Sequence, residues 1–133
     1  MKGYLLDTSI CVFLLRDKFD VQQRLSSIKP SQCYISEVTV AELLYGAYKS
    51  AKTEANIQIL NNLFKRINIV PFSESIEVFA KEKVRLNQIG KPLEDFDLLI
   101  GAAAVSRGLT LVTDNVKHFD RISGITIENW VNR

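Results

Sequence analysis

The segment from Leu93 to Ala104 constrains the fold most strongly, because carboxylates open it and the residues after them are apolar or small. A helix without a polar face must be buried, and in a mixed chain a sheet is the natural cover. Asp95 and Asp97 are separated by one residue, so they point to nearly opposite sides of a helix. We expect Asp97 to face inward, on a stripe with Gly101 and Ala104 that approaches a neighbouring strand, and Asp95 to be the N-cap.

Short apolar runs alternate with segments of helical periodicity along the whole chain. The runs predict strands over residues 4–6, 33–35, 67–70 and 109–112, with a peripheral strand over 125–127. Helices are predicted over residues 10–15, 20–28, 39–48, 53–66 and 74–89, and from Asp95 to the stop at Gly108. Alternation without hairpin signals predicts one α/β domain, with a mostly parallel sheet of four to five strands and helices on both faces.

The composition excludes several classes of protein. The chain of 133 residues fits one domain, its net charge is +2, and it contains one histidine, His118, and two cysteines. A zinc hydrolase needs more His or Cys ligands, and we expect Cys11 and Cys33 to be buried free thiols. No apolar run has the length of a signal peptide or a membrane span, so we expect a cytoplasmic protein without a membrane partner.

Four acidic residues occupy equivalent places in the predicted elements. Asp7 and Asp114 each follow a buried strand, Glu42 lies in the predicted first turn of the helix after the second strand, and Asp97 opens the apolar helix. Right-handed crossovers bring the carboxyl ends of parallel strands to one edge of the sheet, where open α/β sheets bind ligands. We therefore expect these four carboxylates to meet.

Clustered carboxylates repel one another and are tolerated where a cation neutralises them. Oxygen ligands favour hard cations, so Mg²⁺ is the expected ion and Mn²⁺ a plausible substitute. Such an ion activates water and stabilises a phosphate under attack, which is the basis of metal-dependent nucleases. Thr8 or Ser9 would orient a ligating carboxylate through a hydrogen bond, and Asn115 would do the same or position a water.

Other interpretations of the same residues stay open. Glu42 lies three residues after Thr39, the spacing of a capping box, and acids in the first turn stabilise any helix. Asp7 after the first strand also fits an aspartyl-phosphate transfer domain, although Ser9 stands where such phosphatases need a second aspartate. A third interpretation is a non-catalytic binding module whose acids are only helix caps.

Four short motifs, taken together and in order, resemble a known family. They are Leu6-Asp7-Thr8-Ser9, Thr39-Val40-Ala41-Glu42-Leu43, Phe96-Asp97-Leu98-Leu99-Ile100-Gly101 and Leu111-Val112-Thr113-Asp114-Asn115. The chain resembles the PIN domain, and within that family it is most similar to the VapC toxins of bacterial toxin–antitoxin pairs. The resemblance covers essentially residues 1–133 and includes the ending Glu128-Asn129-Trp130.

This resemblance implies a single PIN-like domain and a Mg²⁺-dependent endoribonuclease that blocks translation, with tRNA as a frequent substrate in the family. It also implies a homodimer and a cognate VapB-type antitoxin. By matched position, Asp7, Glu42 and Asp97 would form the acidic triad that holds the metal, and the fourth site residue would be Asp114 or Asn115. Candidate RNA contacts are the cations expected to flank the edge: Arg16, Lys49, Lys91, Arg107 and Lys117.

Overall fold

A computed structural model describes residues 3–133 and contains one sheet of five parallel strands. The strands are β1 (Tyr4–Leu6), β2 (Cys33–Ser36), β3 (Asn68–Val70), β4 (Thr110–Val112) and β5 (Thr126–Glu128). Their order across the sheet is β3-β2-β1-β4-β5, and each neighbouring pair is parallel. The predicted parallel sheet is confirmed with five strands, and β5 lies at an edge as expected. Because β1 and β4 are the central neighbours, the residues that follow them meet at the middle of the carboxyl edge.

Seven α-helices connect these strands within residues 3–133. They are α1 (Thr8–Leu15), α2 (Val21–Ser26), α3 (Glu37–Lys49), α4 (Thr53–Arg66), α5 (Ile76–Gln88), α6 (Asp95–Arg107) and α7 (Val116–Phe119). The second helix is shorter than predicted, and α5 begins two residues late because residues 72–75 form a 3₁₀ turn. No helix among the described residues is long and apolar enough to cross a membrane.

Alternate residues of the strands supply two hydrophobic cores, one on each face of the sheet. Leu5 and Leu111 join a core built with α5 and α6, whereas Leu6 and Val112 join a core built with α1, α3 and α4. The predicted cover of helices on both faces is therefore confirmed. Both cysteines are buried free thiols, also as predicted.

Helix α6 is the buried helix that its composition predicts. Residues 98–104 are all buried, and α6 ends at Gly108, whose φ of 66° lies in the left-handed region that suits glycine. The expected close approach of a strand to Gly101 is wrong. A Cβ at Gly101 would stand 2.3 Å from the Cδ1 atom of Ile122, so this glycine makes room for the segment after α7.

The predicted cap of α6 is also wrong. Glu94 is the N-cap, and Asp95 is the first residue of the helix. The Asp95 side chain instead accepts a hydrogen bond from Nζ of Lys83 on α5, at 2.8 Å. An exposed cation on the neighbouring helix therefore decides where this carboxylate points.

Helix α1 is capped by the aspartate that ends β1, whereas the prediction gave that task to Thr8 or Ser9. Oδ1 of Asp7 accepts a hydrogen bond from the backbone N–H of Ile10 at 2.8 Å. The helix consequently begins at Thr8, immediately after the strand. The short connection leaves the Asp7 carboxylate no room to turn away from the carboxyl edge of the sheet.

Helix α3 starts earlier than predicted and rules out the capping box. Its N-cap is Ser36, whose Oγ accepts from the backbone N–H of Val38 at 3.0 Å. Thr39 is thus inside the helix, and Glu42 lies in the second turn, where it cannot fold back onto a cap amide. The capping interpretation of Glu42 is wrong.

Candidate active site

Asp7 and Thr113 form the centre of the site, at the adjoining ends of β1 and β4. The backbone N–H of Asp7 donates to the carbonyl of Val112 at 3.0 Å, which continues the pairing of the two strands. The hydroxyl of Thr113 then donates to Oδ2 of Asp7 at 2.5 Å. Thr113 is fully buried, so this hydrogen bond is shielded from water and holds the carboxylate in one orientation.

The Asp7 carboxylate carries its charge at a buried position. Only 5% of the residue is exposed, and burial raises its pKa from 3.8 to about 6. The hydrogen bonds from Thr113 and Ile10 oppose this shift, while the nearby charges of Asp97 and Asp114 add to it. Two of the other three predicted acids therefore lie within electrostatic reach of Asp7.

Glu42 is tied to the residue that follows Asp7. The hydroxyl of Thr8 donates to Oε1 of Glu42 at 2.6 Å, and the Thr39 hydroxyl lies 3.1 Å from the same Thr8 oxygen. Because the single hydroxyl hydrogen of Thr8 goes to Glu42, Thr39 is the donor in the second contact. Thr8 thus orients a carboxylate through a hydrogen bond, as predicted. Ser9, the other candidate for this role, is exposed.

Asp97 is held by the only histidine of the chain. Nε2 of His118 lies 3.0 Å from Oδ2 of Asp97, and because a carboxylate accepts only, Nε2 carries the hydrogen. The imidazole also packs edge-on against Phe119, with ring centroids 5.4 Å apart. In the sequence, His118 served only to exclude a zinc hydrolase, and its contact with Asp97 was not predicted.

Asp114 lies at the rim of the site and faces the end of the chain. Asn129 donates to its Oδ1 at 3.2 Å, and a guanidinium nitrogen of Arg133 contacts its Oδ2. The Arg133 hydrogen bond holds the pKa of Asp114 below its usual range. Asn115 contributes its backbone N–H, which donates to the Thr113 hydroxyl oxygen at 3.0 Å.

Thr113 is a residue of the site that sequence reasoning missed. The sequence assigned the task of orienting a carboxylate to the hydroxyls of Thr8 or Ser9, whereas the hydroxyl that holds Asp7 belongs to Thr113, directly after β4. The usable signal was a threonine directly after a buried strand, at a point where polar side chains require a partner. One of the proposed cations is misplaced as well: Arg107 pairs with Glu74 at 2.9 Å, at the far end of α6 from Asp97.

The carboxylate oxygens of the site suit a hard cation, although they do not form a complete coordination cage. Within residues 3–133, no three Asp, Glu, His or Cys side chains stand close enough together to form a metal cage. However, both described partners of the Asp7 carboxylate are neutral groups, and two further acids raise its pKa. A divalent cation beside Asp7 would offset its burial and the repulsion together, so the chemistry of the residues fits such an ion.

The same geometry argues against Asp7 as a phosphoryl acceptor. Attack on phosphorus requires a carboxylate oxygen with open space in line with the phosphate. Both oxygens of Asp7 accept hydrogen bonds, and the residue is almost completely buried. The burial and the two hydrogen bonds fit a fixed carboxylate and disfavour a nucleophile.

Comparison with known proteins agrees with this geometry. A model of the PIN domain matches residues 4–125. The chain is 34% identical to the tRNA(fMet)-specific endonuclease VapC of Shigella flexneri over 98% of this chain and 99% of that protein. It is also 34% identical to ribonuclease VapC2 of Haemophilus influenzae, over 98% of this chain and all of that protein.

A solved structure shares the complete fold. The DNA-bound VapBC complex from Salmonella typhimurium superimposes with a TM-score of 0.91 at 31% identity, covering 98% of this chain and 99% of that one. The alternation of elements, the acids at the carboxyl edge and this full-length similarity agree with one another. The chain belongs to the PIN-domain family and to its VapC branch.

Proposed function

We propose that this protein is a metal-dependent endoribonuclease and the toxin of a VapBC-type toxin–antitoxin pair. The observation that carries the proposal is the buried carboxylate of Asp7, which shares its electrostatic environment with Asp97 and Asp114 at the edge where open α/β sheets bind ligands. Relatives with more than 30% identity over nearly the full chain are ribonucleases. The non-catalytic alternative accounts for Asp7 as the cap of α1, but it gives no reason for placing two further acids where they raise its pKa.

Asp7 and Asp97 are the proposed direct ligands of Mg²⁺, with Mn²⁺ as a substitute, and Glu42 completes the set. A bound divalent ion supplies a water of lowered pKa and neutralises charge on the phosphate under attack. Each ligand has its own positioning residue, so the carboxylates are oriented before the ion arrives. These pairs are Asp7 with Thr113, Asp97 with His118, and Glu42 with Thr8.

Asp114, Asn115 and Ser9 complete the proposed site in lesser roles. Asp114 adds negative charge from the rim, where it raises the pKa of Asp7 without sharing a hydrogen bond with it. Asn115 supports Thr113 through its backbone N–H. Ser9 is exposed beside Thr8 and is free to contact a water or the substrate.

The proposed substrate is tRNA, and the proposed partners are a VapB-type antitoxin and a second copy of this chain. The substrate follows from the Shigella flexneri relative, which is specific for tRNA(fMet). The antitoxin follows from the Salmonella typhimurium structure, in which the toxin chain is part of a VapBC complex. The homodimer rests on the family resemblance.

RNA cleavage by the purified protein tests the function. We expect cleavage of tRNA(fMet) with Mg²⁺ or Mn²⁺, none with EDTA, and at least a hundredfold loss in Asp7→Asn and Asp97→Asn, because electrostatic groups of this kind contribute several kcal/mol. Circular dichroism confirms that both variants are folded. Cleavage at the wild-type rate by either folded variant would show that the site is wrongly assigned.

Metal titration followed by thermal melting separates the enzyme from a module with helix caps. Binding to the folded state alone stabilises it by about 2.7 kcal/mol at a ligand concentration of 100 Kd. We expect the melting temperature to rise with Mn²⁺ in the wild type and to stay flat in Asp7→Asn. A wild-type melting temperature that does not change on addition of Mg²⁺ or Mn²⁺ would favour the non-catalytic interpretation.

A further inference from the structure

Helix α3 carries an exposed aromatic side chain one turn beyond Glu42. Tyr45 is 66% exposed, so the core covers little of its ring. Residues at i and i+3 lie on the same side of a helix, so Tyr45 shares the side of Glu42. The ring is therefore one helical turn from a carboxylate of the proposed active site.

A lysine ammonium group lies over the Tyr45 ring. Nζ of Lys49 lies 5.2 Å from the centroid of Tyr45, in a cation–π contact. Lys49 is seven residues after Glu42, almost directly above it along the helix, and it is exposed as well. The ammonium group lies over one face of the ring, and the 66% exposure of Tyr45 leaves ring surface available to a second planar group.

A cavity of about 300 Å³ between α1, α3 and α4 borders the neighbouring side of α3. Thr8 and Glu42 line it, and so does Arg16, which is a cation. Gly46, one residue after Tyr45, lines the cavity as well, so the cavity and the Tyr45 ring lie on adjacent sides of Glu42.

We propose that Tyr45 and Lys49 form a contact for single-stranded RNA, in which Tyr45 stacks on a nucleobase next to the cleaved bond and Lys49 binds the adjoining phosphate. The proposal rests on the proposed ribonuclease function. Acidic residues at the site repel the phosphate backbone, so a cation close to them is required to hold the strand. Aromatic rings with neighbouring cations are the usual platform for unpaired bases.

Tyr48 provides a matched control on the same helix. It is 68% exposed, nearly the same fraction as Tyr45, but it lies in a groove with Thr53 and Ile57 of α4. A general effect of removing an exposed tyrosine from α3 would appear in both variants. A contact with RNA at the active site would appear only in Tyr45→Ala.

The first experiment measures RNA binding without cleavage. The probe is a fluorescein-labelled, unstructured 15-nucleotide RNA, titrated with Asp7→Asn protein and read by fluorescence anisotropy. In this background we expect Tyr45→Ala to raise Kd roughly tenfold, which is typical for one lost base stack. Tyr45→Phe keeps the ring and Tyr48→Ala keeps the contact, so both should stay within about twofold of the parent.

Salt dependence separates the lysine from the tyrosine. Each phosphate contact to a single strand contributes about 0.7 to the slope of log K against log salt concentration. We expect Lys49→Gln to reduce the slope by about this amount and Lys49→Arg to preserve it. Tyr45→Phe should leave the slope unchanged, because it retains the ring on which the ammonium group lies.

Steady-state cleavage gives the second readout. With Asp7 intact, we expect Tyr45→Ala to raise KM with kcat within about twofold, because the ring is proposed to bind RNA and touches no reacting atom. Unchanged Kd and KM in Tyr45→Ala, or equal losses in Tyr48→Ala, would overturn the proposal. A change of oligomeric state or antitoxin binding with unaltered RNA affinity would assign Tyr45 to a protein contact and overturn it equally.

Failure of the proposed function has a different signature. A wild-type protein that cleaves no RNA with either metal contradicts the ribonuclease assignment, whereas the anisotropy titration still decides whether Tyr45 contacts RNA. Tyr45→Ala has no effect on the metal titration if Tyr45 acts only on the strand. Loss of the metal-induced rise in melting temperature in Tyr45→Ala would place its effect on the carboxylates and contradict the stacking role.

Discussion

Asp7 uses its two carboxylate oxygens for different tasks. One oxygen caps α1 through the Ile10 amide, and the other accepts the Thr113 hydroxyl across the junction of β1 and β4. Helix capping and the proposed metal binding are compatible in one side chain, because each carboxylate oxygen has two lone pairs. The cost is a charged group at a buried position, which shows in its raised pKa.

The raised pKa of Asp7 predicts an unusual dependence of stability on pH. A carboxyl whose pKa rises from 3.8 to about 6 on folding binds its proton more tightly in the folded state. Its contribution to the free energy of unfolding is therefore fully present below pH 3.8 and is lost as the pH rises through about 6. The shift corresponds to at most about 3 kcal/mol at neutral pH.

We accordingly expect Asp7→Asn to stabilise the metal-free protein by about 1–3 kcal/mol at pH 7, while it abolishes cleavage. The gain should shrink as the pH falls towards 4, and urea denaturation at both pH values in EDTA measures it. Asp17→Asn is the control, because Asp17 is exposed and has a φ of 53° that asparagine also tolerates. A destabilised Asp7→Asn at pH 7 would contradict the burial cost.

Among the elements, α6 connects the core to the site. Its apolar turns are buried under the sheet, and its first turn places Asp97 against His118 of α7. The contact between α6 and the segment after α7 depends on Gly101, which leaves space for Ile122. A small residue in the middle of α6 thus determines how close α7 can come.

Gly101→Ala tests this fit. Alanine is better in a helix by about 1 kcal/mol, but its Cβ would stand 2.3 Å from Cδ1 of the buried Ile122. Overpacking of a core costs about 1–3 kcal/mol, so we expect a net loss of about 1 kcal/mol in chemical denaturation.

A double-mutant cycle identifies the cause of that loss. Ile122→Val removes Cδ1 and should cost about 0.5–1.5 kcal/mol alone. In the double variant, alanine gains the vacated space, so its cost should fall below the sum of the single variants by at least about 1 kcal/mol. If the two substitutions have additive effects on the free energy of unfolding, the contact with Ile122 is not the reason for a glycine at position 101.

At the scale of the whole molecule, an ion pair with a buried carboxylate links α5 to the connection between α7 and β5. Glu82 is 8% exposed and receives two hydrogen bonds from Arg85, each 2.9 Å long. Glu82 also accepts from the backbone N–H of Ser123 at 2.6 Å, and Arg85 donates to the carbonyl of Arg121 at 2.5 Å. The pair thereby anchors the segment that follows His118, far from the acids themselves.

Glu82→Gln should weaken this anchor. Arg85 holds the pKa of Glu82 below its ordinary value of 4.5, so the stabilisation is present above that pH and is lost as the pH falls through the lowered pKa. We expect a loss of about 1–3 kcal/mol at pH 7 that becomes smaller in acid, measured by urea denaturation.

Glu77→Gln on the same helix is the matched control. Glu77 is 81% exposed and pairs with Lys81 at 3.4 Å, and such surface pairs contribute less than about 1 kcal/mol. An equally small effect at both positions would mean that the Glu82 pair stabilises nothing beyond its own helix.

Much of the fold follows from local patterns. Apolar runs, amphipathic periodicity and the stop at Gly108 predicted each strand and the long helices, because these signals arise within a few residues of one another. The errors lie at helix starts. The N-cap of α6 is Glu94 instead of Asp95, and that of α3 is Ser36 instead of Thr39, because cap positions depend on contacts that a local pattern does not show.

The candidate site, like the fold, was predicted only in part. Its four acids were predicted from their places at the ends of strands and the starts of helices, and the family resemblance supplied their grouping. Their hydrogen-bond partners were not predicted. Thr113 is 106 residues from Asp7, and His118 is 21 residues from Asp97, so no local pattern connects them.

The sequence by itself determined the alternation of strands and helices, the buried character of α6 and the identity of the acids, since hydrophobic periodicity and residue chemistry are properties of neighbouring residues. The tertiary structure alone decided which groups hold those acids and that Asp7 is both cap and buried charge. The physical reason is strand adjacency: β1 lies beside β4 only after the sheet has formed, and only then do the Asp7 carboxylate and the Thr113 hydroxyl meet.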